Sequence, residues 1–241
     1  MPERLSEIVL VDCADGPVPV AVKFRERKRL SISVHPDGVV TALAPAHRSI
    51  DDVAAHLRRR QSWITKQRRH FEQYQPLPDE KRYVGGETHL YLGRQYRLRL
   101  YEAETTSVKL VGRFFHVTVP QRGDTQSIAS AMDRWYRLHA APIFHDRLEH
   151  CLDAASSLRA TPIQLRIRPM KRRWGSCSSA GTITLNTDLV KAPLHCIEYV
   201  IMHELCHLRV HDHSLAFYRL LGRCMPDWRQ RKERLESIVL R

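Results

Sequence analysis

The most constraining stretch of this 241-residue chain is His203-Glu204-Leu205-Cys206-His207, followed by His211-Asp212-His213. Histidines four apart lie on one face of a helix with Cβ atoms about 5 to 6 Å apart, so both imidazoles can reach a single ion. Glu204 is rotated about 100° from His203 and borders that face, where it can reach a water on the metal without being a ligand. The helix cannot curl back to supply a third nitrogen, so the chain must leave it first. His211 and His213 are both candidates, and the longer return loop favours His213. Three protein ligands leave a fourth zinc position for water, as catalytic sites do, and lower that water's pKa to about 7, within reach of Glu204 as general base.

With 14 histidines in the chain, the pentapeptide could arise by accident. Its setting argues against that. Ile197, Val200, Ile201, Leu205 and Leu208 form an apolar stripe, while His203 and His207 sit on another flank where core packing asks for no histidine. A Pro at position 193 suits the first turn of this helix.

The hydrophobic fraction of 43% is enough for one large or two small globular domains. Lys and Arg number 39 against 26 Asp and Glu, a net charge of +13, which suggests a nucleic acid or nucleotide partner on a basic surface. The six cysteines have no C-x-x-C spacing and no secretory signal precedes them, so reduced thiols and a cytoplasmic location are expected. No run of 18 apolar residues is present, so no membrane span is expected.

The pattern along the chain predicts an α+β fold. Residues 1–122 read as an antiparallel β-rich region, with strands at Ile8 to Val11, Val18 to Phe24, Leu30 to Val34 and Val39 to Leu43, and a His35-Pro36-Asp37-Gly38 turn. A basic helix follows over about 49–74, with Ile50, Val53, Leu57, Ile64 and Phe71 at helical spacing and Arg58, Arg59, Arg60, Lys66, Arg68 and Arg69 around them. Pro76 and Pro78 mark a linker. Alternating runs from Glu87 to Val119, with Leu92-Gly93-Arg94 and Val111-Gly112-Arg113 turns, predict a meander of hairpins. The second domain, 123–241, opens with a long helix kinked near Pro142, then strands at Pro162 to Ile167 and Thr182 to Asn186, the metal helix and two closing helices. No internal repeat is visible.

Four ordered motifs, Arg173-Trp174-Gly175-Ser176-Cys177, Ile183-Thr184-Leu185-Asn186, His203-Glu204-Leu205-Cys206-His207-Leu208 and His213-Ser214-x-x-Phe217, resemble the YgjP-like metallopeptidase family, zincins related to the SprT-like and Wss1-like proteases. Asp212 and Tyr218 stand where the family pattern has Asn and Trp. The resemblance implies a zincin-like C-terminal domain with an HExxH helix, Zn2+ held by His203, His207 and His213, Glu204 as catalytic base, and a peptide or protein substrate. It also implies that Thr182 to Asn186 is an edge strand pairing with extended substrate, with Arg173 and Asn186 at the substrate. Two competing readings are a metal-dependent nucleoside triphosphate pyrophosphohydrolase, suggested by the charge and by Arg172 and Arg173, and a DNA-binding protein or DNA-associated protease.

Overall fold

The computed structural model describes residues 7–35, 37–72, 81–158, 163–170 and 173–239. It divides into two compact units, Met1–Asp79 with Val239–Arg241, and Glu80–Ile238. The division therefore falls earlier than the 122/123 boundary expected from sequence. Pro36, the linker prolines Pro76 and Pro78, the strand start Pro162, and Arg172 lie outside the described residues.

The first unit contains β1 (Glu7–Cys13), β2 (Gly16–Arg25), β3 (Ser31–Val34) and β4 (Val40–Pro45). The predicted strands are all present, but the sheet is mixed. Its order is β1-β2-β4-β3, with β2 and β4 parallel. Alternation puts Val20, Val22, Phe24, Val40 and Ala42 on the buried face. The expected single basic helix is two, α1 (Ile50–Arg59) and α2 (Gln61–Glu72), broken at Arg60, whose backbone N–H turns back to Leu57 O. No Gly or Pro marks that break. Ser49 caps α1 by accepting from Asp52 N at 3.1 Å, and Val53, Leu57 and Ile64 cover the sheet.

The second unit opens with β5 (Thr88–Tyr91), β6 (Arg94–Glu102), β7 (Ser107–Val111) and β8 (Phe114–Val119). These are not a meander: the order is β5-β6-β8-β7, with β6 and β8 parallel. The topology repeats that of the first unit and leads likewise into a helix, α3 (Thr125–Ala154), capped by Asp124 accepting from Ser127 N. At a constant shift along the chain, Val40, Ala42, Ala44, Val53 and Leu57 correspond to Phe115, Val117, Val119, Ile128 and Met132, all buried. The pairs share burial but not identity, which hides the repeat in the sequence. Leu98, Phe115, Val117 and Val119 enter one core with α3, which is why this sheet belongs with the C-terminal part of the chain. The helix remains unbroken through Pro142.

A third sheet has the order β10 (Gly175–Cys177), β11 (Thr182–Asn186), β9 (Gln164–Arg168). Helices α4 (Leu194–Cys206), α5 (Leu215–Cys224) and α6 (Trp228–Val239) complete the unit. Leu92 and Gly93 both take positive φ in the two-residue β5–β6 turn, and their amides donate to Val190 O and Lys191 O at 2.9 Å. A Cβ on Gly93 would lie 2.5 Å from Pro193 Cγ. Only glycine lets this hairpin seat on the start of α4.

Candidate metal centre

Helix α4 is buried along most of its length, through Ile197, Val200, Ile201 and Leu205, and brings His203, Glu204 and the C-cap His207 to its final turn. The chain then unwinds. Amides of Leu208, Arg209 and Val210 bond back to Leu205 O and Cys206 O, and the turn returns His213 over the helix end. The Nε2 of His213 lies 3.0 Å from Nε2 of His203 and 3.2 Å from Nε2 of His207. All three nitrogens fall within 4.8 Å of one another. His211 lines the same cleft but stands outside this cluster.

The chemistry of these donors fits a cation. Burial, with the neighbouring imidazoles, pushes His203 down to about 3, and burial also lowers His213, so both present neutral lone pairs near neutral pH. His207 donates from Nδ1 to Val210 O at 3.0 Å, an arrangement that leaves Nε2 free to ligate. Zinc bonded tetrahedrally to imidazoles at about 2.0 to 2.1 Å requires nitrogens roughly 3.3 Å apart, close to the separations seen. Phe217 on α5, fully buried, lies under all three rings with centroids at 4.8, 4.6 and 4.9 Å. In sequence Phe217 appears as the last residue of the His213-Ser214-x-x-Phe217 motif, and its seat beneath the three rings comes from tertiary packing.

Glu204 is 6% exposed, and burial raises its carboxyl to about 7 against the opposing pull of Arg173. It packs on Gly175, where an added Cβ would meet its Oε1 at 2.8 Å. In sequence Gly175 is one residue of the Arg173 to Cys177 motif, and nothing local ties it to Glu204. A cleft of about 500 Å³ lies over the imidazoles, walled by β10 and α4, with the exposed Arg173 on its rim. Burial, then the nearby Glu204, pushes the Cys177 thiol in this wall up to about 11, so it stays protonated and is a poor metal ligand near pH 7.

Two expectations need correction. Strand β11 is central in its sheet, paired with β10 on one side and β9 on the other, so it cannot accept an added strand. The edge beside the metal helix is β10. Asn186 is buried, its amide donating to Met170 O and Arg173 O and accepting from Met170 N and Asp188 N. With both donors and both lone pairs of its amide engaged, it ties Met170 and Arg173 to the end of β11 and has no polar group left over to offer a substrate.

A family model described as YgjP-like, metallopeptidase domain, matches residues 28–238. Among curated proteins nothing matches. Similar solved structures include two metallopeptidase zymogens. The metallopeptidase zymogen abylysin of Pyrococcus abyssi is 30% identical, with 41% of this chain and 96% of that one covered and a TM-score of 0.36. The metallopeptidase zymogen jannalysin of Methanocaldococcus jannaschii is 23% identical, with 40% and 96% covered and a TM-score of 0.35. Among the described residues no helix is long and apolar enough to cross a membrane.

Proposed function

The chain belongs to the YgjP-like metallopeptidase family, and from that premise we propose that it is a zinc peptidase in which His203, His207 and His213 hold the ion and Glu204 is the general base. The observation that carries this reading is the convergence of three imidazole Nε2 atoms beside a buried carboxylate. Zinc bound there supplies a water of lowered pKa and a Lewis acid for the scissile carbonyl. Glu204 takes the proton from the attacking water and delivers it to the departing amine. Beside a bound divalent ion the Glu204 carboxyl would be held toward the carboxylate form that a base requires.

The substrate suited to this cleft is an extended peptide added to the free edge of β10. Trp174 O accepts from Asn186 N and Ser178 N donates to Thr182 O, so residues of that parity face β11 and the backbone groups of Gly175 and Cys177 face outward. An added strand hydrogen-bonded there runs along the wall of the cleft above the imidazoles. Arg173 on the rim is placed to stabilise the developing oxyanion or to hold an anionic group of the substrate. No observation favours the nucleoside triphosphate pyrophosphohydrolase reading.

Metal analysis joined to cleavage of an unstructured protein tests the proposal. Zinc should bind stoichiometrically, a chelator should abolish cleavage, and Glu204→Gln should keep zinc while losing at least about a hundredfold in kcat. A chain that binds no zinc removes the centre, and a fully active Glu204→Gln variant removes the base.

A further inference from the structure

The first unit carries a groove of about 200 Å³ lined by Leu30, Ile32, His56, Arg60 and Trp63. Its floor is apolar, from the β3 side of the sheet, and its wall comes from α1, α2 and the break between them. Trp63 stands 38% exposed, an arrangement that core packing does not explain. The second observation is charge: Arg60 lines the groove, and Arg59 and Arg48 lie near enough to act on His56 in its wall. Some arginines of the protein are neutralised by carboxylates, Arg69 by Asp15 and both Arg147 and Arg231 by Glu198. Among the described residues, Arg48, Arg59 and Arg60 have no such acidic partner. Their uncompensated field is felt at His56, which burial and then Arg59, Arg60 and Arg48 hold below its ordinary pKa.

We propose that this groove binds single-stranded nucleic acid, with a base stacked on Trp63 and backbone phosphates on Arg48, Arg59 and Arg60. An aromatic face beside an apolar floor takes a planar base from any sequence, and guanidinium groups take the flanking phosphates. The base must be unstacked to enter, so a duplex cannot present it. Arg48 precedes the N-cap of α1, and Arg59 and Arg60 close its last turn. The proposal is independent of the metal centre and stands or falls without it.

Fluorescence anisotropy of the full chain with a labelled mixed-sequence DNA strand of about 15 nucleotides tests it, over a salt series. Wild-type protein should bind. Trp63→Ala should weaken binding about tenfold, Trp63→Phe should retain most of it, and Arg60→Gln should weaken it and reduce the salt slope by about one. Lys109→Gln, an equal change of charge on the other unit, should bind as wild type. The proposal is overturned if wild-type protein does not bind at low salt. It is equally overturned if Trp63→Ala binds no worse than Lys109→Gln, or if a duplex of the same length binds more tightly than the single strand.

Discussion

Gly175 and Glu204 are in direct contact: a Cβ built on the glycine would lie 2.8 Å from Oε1 and 2.9 Å from Cγ of the glutamate. Any side chain at 175 must displace either the carboxylate or the β10 edge. The three atoms nearest that Cβ all belong to Glu204, and none belongs to an imidazole. Gly175→Ala is therefore expected to lower kcat about a hundredfold, the scale of an ångström's misplacement, while zinc content measured by elemental analysis stays unchanged. Loss of zinc in parallel with activity would show that Gly175 supports the whole centre rather than the carboxylate.

The outward parity of Cys177 predicts a separation of binding from chemistry. Cys177→Pro removes one N–H from the free edge of β10 without touching a bond to β11, a position where proline is tolerated. KM for an unstructured substrate is expected to rise about tenfold, the worth of one lost hydrogen bond with its partner left unpaired, with kcat nearly unchanged. Unaltered KM would place the substrate elsewhere.

Glu198 on α4 receives Arg147 of α3 at 3.0 Å and Arg231 of α6 at 2.7 Å, so one carboxylate clasps three helices. It is 12% exposed, and the two guanidinium side chains are 23% and 22% exposed. Glu198→Ala leaves each guanidinium with one more exposed carboxylate, Asp146 for Arg147 and Asp227 for Arg231, and removes the group that joins them. The expected cost is about 2 kcal/mol, reduced from that of a fully buried pair because the arginines keep part of their hydration. Thermal unfolding should shift down by roughly 5 °C.

His89 is 4% exposed, with its Nε2 3.0 Å from Glu87 Oε2. Burial holds His89 below its ordinary 6.5, against the opposing attraction of Glu87. Burial raises Glu87, but amides of Arg82 and Tyr83 and the nearby His89 outweigh it, and the carboxyl ends below 4.5. Both groups bind protons more weakly in the folded chain than in the unfolded one. The stability they contribute is present above the unfolded values and is lost as pH falls, first below about 6.5 for His89 and then below about 4.5 for Glu87. His89→Gln keeps a donor toward Glu87 and cannot titrate. The difference in Tm between wild type and this variant should shrink as pH falls from 7 to 5, and a constant difference would exclude His89 as the source.

Much of this was legible beforehand because it rests on local periodicity. Strands such as Val18 to Phe24 alternate, and helices such as α4 carry their stripe and their histidine spacing in consecutive residues. What escaped depended on pairing between segments far apart in the chain. Nothing local says that β2 runs parallel to β4, or that Phe115 and Ile128 repeat the places of Val40 and Val53. The same holds at the site. Asn186 stands among the residues expected at the substrate, and only the contacts with Met170 and Arg173 show what its amide holds.

The sequence by itself determined that, once this stretch is helical, His203 and His207 share one face with Glu204 alongside, because 3.6 residues per turn stacks residues four apart. It also limited the third donor to two histidines beyond the helix end. Tertiary structure decided between them, since the turn closed by Val210 O and the seat on Phe217 direct His213, not His211, over the other two rings. It decided as well that Gly175 touches Glu204 and that β10, not β11, is the open edge. Contacts of that kind join residues whose separation along the chain carries no energetic signal until the chain has folded.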